Sequence, residues 1–92
     1  MSAIPDTVKP AIGRGFRLQF EPAQNAHVLL YPEGMVKLNT SAGEILRRCD
    51  GVRTMAEIVA DLEQTFATTG LAGDVGAFVS MAVEKGWLEI RA

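Results

Sequence analysis

Two short runs of strand-forming residues, VLLY at 28–31 and MVKL at 35–38, stand on either side of Pro32-Glu33-Gly34, and that spacing leaves little room for anything but a β-hairpin. Proline pre-sets φ at the first central position of a type I turn. Glycine at the fourth position is expected to take the positive φ that often follows such a turn. Upstream, residues 16–21 alternate, with Phe16, Leu18 and Phe20 on one side and Arg17, Gln19 and Glu21 on the other, as a half-buried strand does. The cluster Pro22-Ala23-Gln24-Asn25 turns that strand into the hairpin. Three consecutive antiparallel strands result, and the last, Met35-Val36-Lys37-Leu38, lies at an edge with no later strand assigned to cover it.

After Asn39 the apolar period changes from two to 3.6. Ser41 and Glu44 fit a capping box, with Thr40 as a rival N-cap, and Ala42, Ile45, Leu46 and Cys49 form one apolar face until Asp50-Gly51 stops the helix. Thr54 and Glu57 make a second capping box ahead of a stripe of Met55, Ile58, Val59, Leu62 and Phe66. A third helix starts near Asp74, buries Val75, Phe78, Val79 and Ala82, and ends at Lys85-Gly86. The remaining Trp87-Leu88-Glu89-Ile90 alternates as a short strand or a clasp over the core, with Trp87 expected to be largely buried. Residues 1–15, with Pro5, Pro10, Gly13 and Gly15, read as an extended, loose N-terminal arm, and residues 16–92 as a single domain. The fold class is α+β, a three-stranded antiparallel sheet followed by three helices, with a winged helix-turn-helix as the candidate architecture.

A chain of 92 residues holds one small core, which disfavours a deep catalytic pocket and favours a binding module over an enzyme. Net charge is −2, the wrong sign for counterion-releasing contact with a phosphate backbone, and the third helix carries Asp74 and Glu84 against Lys85. Nucleic acid is thereby disfavoured as a partner. His27 is the single histidine and lies in no metal-ligand spacing, so no metal and no cofactor are expected. The single cysteine, Cys49, sits on an apolar helix face and reads as a small buried hydrophobe, not a nucleophile. One cysteine makes no internal disulfide, and the N-terminus shows no apolar signal segment, so a cytoplasmic, non-membrane protein is the default expectation. Gly13 and Gly15 precede the strand and lack a third glycine, so they carry no nucleotide-loop signal. Arg47, Arg48 and Arg53 gather near the end of the first helix, where the helix dipole suffices to explain them, although an acidic partner would also fit.

The combination RGFRLQFEPAQNAHVLLYPEGMVKLN, ILRRCDG and KGWLEI, spanning residues 14–88, resembles the PqqD family of pyrroloquinoline quinone biosynthesis proteins. The resemblance implies a winged-helix recognition element that captures a ribosomally made precursor peptide, PqqA, and presents it to the radical S-adenosylmethionine enzyme PqqE, which cross-links a glutamate and a tyrosine of that peptide. It also implies a peptide site along the third strand and third helix, here Met35 to Leu38 and the helix from about Asp74 to Lys85; within it we expect Met35, Val36, Lys37 and Leu38 to be the docking strand and Phe78, Met81 and Lys85 the opposing wall. No catalytic motif is implied. Physics reaches a compatible site, because an open strand offers unpaired N–H and C=O groups to an extended peptide or to a second copy of the chain. Lys37 either guards that edge against indiscriminate pairing or engages an acidic peptide residue. Two rivals stand beside this reading: a winged-helix nucleic-acid binder, marked by a steep salt dependence, and a protein that binds the quinone cofactor in a concave polar pocket.

Overall fold

The computed structural model describes residues 4–91. Its elements run β1 (Lys9–Ile12), β2 (Arg17–Glu21), β3 (Ala26–Tyr31), β4 (Gly34–Lys37), α1 (Thr40–Leu46), α2 (Met55–Thr65), α3 (Ala72–Glu84) and β5 (Leu88–Arg91). The α+β class and the three-stranded sheet followed by three helices are both present, with strand order β2-β3-β4. The winged-helix likeness is loose, because β1 and β5 form a second, two-stranded sheet that joins the two ends of the chain.

That second sheet changes the account of the N-terminal arm. Its first three residues lie outside the described residues, but from residue 9 the arm is an ordered strand with Lys9 opposite Arg91 and Ile12 opposite Leu88. Pro10 and Ala11 are buried. The Gly13 N–H donates to the Trp87 carbonyl at 2.7 Å and the Gly51 N–H to the Pro10 carbonyl at 2.9 Å, so alternate residues of β1 face β5 and the Asp50-Gly51 turn. The missing proline N–H falls on the side away from β5, where the ladder does not need it. Met55 and Ala56 add N–H donors to the carbonyls of Val8 and Asp6, tying the arm to the start of α2. A long-range partner explains the order that local composition argued against.

The hairpin turns through Pro32-Glu33, with Tyr31 opposite Gly34. Gly34 does not take a positive φ; that conformation appears at Gly15, Gly51, Gly70 and Gly86, at Ala67 just after α2, and at Asn25, which closes the β2–β3 turn. A two-residue loop leaves no extra residue to absorb the αL step, so Gly34 enters β4 directly.

Asn39, not Ser41 or Thr40, caps α1, its Oδ1 accepting from the Ala42 N–H at 2.8 Å. Glu44, expected to complete a capping box, is instead drawn to Arg47 and Arg48. Cys49 lies past the end of α1 but is still buried. The Thr54 and Glu57 capping box of α2 is complete, with side chains and backbone N–H groups bonded reciprocally. Helix α3 begins two residues before Asp74, its N-terminus held by the Glu63 carboxylate accepting from the Leu71 N–H at 3.0 Å. It ends in a Schellman motif: Gly86 has φ +80°, its N–H bonds the Val83 carbonyl, and the Trp87 N–H bonds the Ala82 carbonyl.

The core runs from Leu29 and Leu38 through Ile45, Leu46, Ile58, Leu62, Val75 and Val79 to Leu88. Three aromatics sit differently from their expected places. Trp87 is half-buried, while its neighbour Leu88 is the buried residue at the chain's end. Phe20 and Phe66 are 46% and 48% exposed, because each stands at the end of its element where core cover runs out.

Candidate functional site

The register of the three-stranded sheet decides which groups of β4 face outward. Leu29 pairs with Val36 and Val28 with Lys37, and the Leu38 N–H donates to the His27 carbonyl at 3.1 Å. Backbone groups alternate sides along an antiparallel strand, so Gly34, Val36 and Leu38 direct theirs at β3 while Met35 and Lys37 direct theirs away. Among the described residues β4 has β3 as its one paired neighbour, so the N–H and C=O of Met35 and Lys37 line an open edge. The side chains follow the pleat. Val36 packs on the core and Leu38 is buried, whereas Met35 is 50% exposed and Lys37 is exposed. The four residues thus divide into two that hold the strand in place and two that present it.

On α3, Phe78, Met81 and Lys85 recur at i, i+3 and i+7, a single stripe alongside the buried Val75, Val79 and Ala82. Phe78 packs partly on the core, Met81 is half-buried and Lys85 is exposed, its Nζ lying 5.9 Å from the centroid of the Trp87 ring. That contact brings Trp87 to the end of the stripe. The sequence signal was the Lys85-Gly86-Trp87 spacing, since a residue immediately after a Schellman glycine folds back over the last turn.

The remaining reactive side chains have structural roles. Burial, reinforced by the neighbouring Asp50 charge, pushes the Cys49 thiol up to about 12, and its Sγ donates to the Ile45 carbonyl, so no thiolate is available at neutral pH. His27 stacks edge-on against Phe20 at 5.1 Å and packs against Gly43, where a Cβ would come within 2.9 Å of its Nδ1. Of the three arginines read as a basic cluster, Arg48 is buried and its guanidinium bonds Glu44, Asp61 and Thr65, pinning α1 to α2. The hydrogen bond from Arg48 is the main reason the carboxyls of both Glu44 and Asp61 lie below their usual range. Arg47 pairs with Glu44, and Arg53 lies 3.9 Å from both Asp50 and Asp61. Among the described residues no three His, Cys, Asp or Glu side chains gather to hold a metal ion, and no helix is long and apolar enough to cross a membrane.

The fold and the edge define a small α+β domain with an unpaired antiparallel strand and a partly apolar helical stripe, the parts from which strand-addition recognition elements are made. Residues 26–88 match the family model of coenzyme PQQ synthesis protein D (PqqD). A "PqqA binding protein" of Stutzerimonas stutzeri is 53% identical over 92 residues, covering 99% of this chain and 100% of its own, and one of Pseudomonas aeruginosa strain UCBPP-PA14 is 55% identical over 83 residues, 89% and 90% of the two chains. The chain is also similar, with TM-score 0.66, 33% identity and 87% of each chain covered, to the solution structure of the PqqD truncation of Methylobacterium extorquens PqqCD, described as a stand-alone recognition element for ribosomally synthesized and post-translationally modified peptides. The chain belongs to the PqqD family.

Proposed function

We propose that this domain is a non-catalytic peptide chaperone that binds the precursor peptide PqqA by strand addition at β4 and presents it to the radical S-adenosylmethionine enzyme PqqE. The observation that carries the proposal is the Leu38-to-His27 hydrogen bond, which fixes the parity of β4 and leaves the backbone groups of Met35 and Lys37 for an incoming strand. The names of the relatives support PqqA as the ligand. Val36 and Leu38 hold the strand, Met35 and Lys37 receive the peptide, and Phe78, Met81 and Lys85 form the wall against which its side chains pack. The same edge accepts a second copy of the chain, so self-association and peptide binding compete.

Amide shift mapping tests the proposal. Adding the precursor peptide is expected to shift and protect the amides of Met35 and Lys37 more than those of Gly34 and Val36, and adding PqqE is expected to broaden the peptide-loaded domain. Peptide-induced shifts confined to α1 and α2 would refute strand addition, and an unchanged spectrum with PqqE would refute presentation.

A further inference from the structure

A cavity of about 250 Å³ opens where α1, the end of α2 and the start of α3 meet. Its floor is the buried trio Ile45, Leu62 and Val75, and its mouth is formed by the exposed Phe66 and the half-buried Leu71. The volume is below the range of small-molecule sites, which matches a single side chain better than a cofactor. Two features connect it to the β4 edge. Thr40, on its wall, follows Lys37 by three residues, so one wall of the cavity begins at most about 11 Å from the end of β4. Asp74, also on its wall, precedes Phe78, Met81 and Lys85 on one helical stripe at i, i+4, i+7 and i+11, so the stripe of α3 ends in the cavity. A second recess shares Thr40 and Glu44 with this cavity and runs from Leu38 and Asn39 to the β2–β3 turn, but Gln24, Asn25, His27 and Asn39 make its lining more polar and less suited to an apolar side chain.

Resting on the strand-addition reading, we propose that this cavity is a specificity pocket, which receives one apolar side chain of the docked peptide about three residues beyond the segment paired with Lys37. The residue beside that side chain is basic. Asp74 is exposed at the mouth and enters none of the ion pairs among the described residues, whereas Glu44, the other carboxylate there, is already engaged by Arg47 and Arg48. Strand pairing by itself reads almost no sequence, since every residue except proline offers the same backbone groups. A side-chain pocket at a fixed distance from the edge supplies both register and selectivity.

The test uses the whole chain with methyl-labelled leucine, valine and isoleucine, titrated with synthetic PqqA. Intermolecular nuclear Overhauser contacts from one apolar peptide side chain to the Leu62, Leu71 and Val75 methyls, together with a tenfold or greater loss of affinity when that peptide residue becomes alanine, are the expected results. Asp74→Asn should weaken binding about threefold at low salt and leave it unchanged at high salt. Peptide that pairs at Met35 and Lys37 without methyl contacts overturns the pocket while sparing strand addition. Binding without β4 amide shifts overturns the strand-addition reading, and equal affinity of Asp74→Asn at low salt overturns the basic neighbour.

Discussion

Proline separates the two roles of β4 because it deletes the backbone N–H, which points inward at Val36 and outward at Lys37, and keeps the carbonyl. At Val36 the N–H points to Leu29, which is fully buried, so Val36→Pro removes a hydrogen bond and strands the Leu29 carbonyl away from water. The lost bond contributes about 0.5–1.5 kcal/mol and the stranded acceptor about 1–3 kcal/mol, roughly 2–4 kcal/mol together. Against a total of about 5–15 kcal/mol, that is a large fraction. For a domain of this size it lowers Tm by roughly 10–30 °C. At Lys37 the N–H points outward and the side chain is exposed, so Lys37→Pro costs no ladder bond. The preceding Val36 is already in a strand, the conformation that a following proline demands. The Lys37→Pro domain is expected to melt within a few degrees of wild type, but with a donor gone and the ring in the path of the incoming strand it should bind PqqA at least tenfold more weakly. Thermal melts followed by far-ultraviolet dichroism, with calorimetric titration of the peptide, measure both quantities. A stable Val36→Pro would refute the parity of the strand, and a folded Lys37→Pro that binds normally would refute strand addition.

Gly13→Ala should destabilise by about 1–3 kcal/mol in urea unfolding, since its Cβ would fall 2.2 Å from the Gly86 carbonyl oxygen and backbone must move to admit it. Gly73→Ala, where a Cβ meets nothing within 4 Å, is the control. Glu44 and Asp61 have depressed pKa values in the folded state, so their contribution is present above the ordinary carboxylate range and is lost as pH falls through their folded values. Calorimetry should therefore show Tm falling below about pH 4, with a shallower acid limb in Arg48→Met. Trp87→Ala should cost about 1–3 kcal/mol, below the roughly 3–5 kcal/mol of a fully buried aromatic, because the ring is half-buried. A loss as large as that of a core tryptophan would contradict its placement.

The local chemistry of the chain was sufficient for much of this fold. Alternation at 16–21, the Pro32-Glu33 turn, the Thr54 and Glu57 box and the glycine after Lys85 each act within a few residues, so hairpin, helices and the open β4 edge were legible before any coordinates. What stayed hidden depends on partners far away in the chain. The loose composition of the N-terminal arm says nothing of β5, about 80 residues later, whose backbone orders it. Nothing near Arg48 in the sequence announces Asp61 and Thr65, which a turn of chain between α1 and α2 brings to its guanidinium. The parity of β4 follows from its register with β3, and the apolar cavity exists because three helix ends converge without filling the space between them. Sequence periodicity assigns faces within one element; which faces meet, and what gap remains where they meet, is decided by packing in three dimensions.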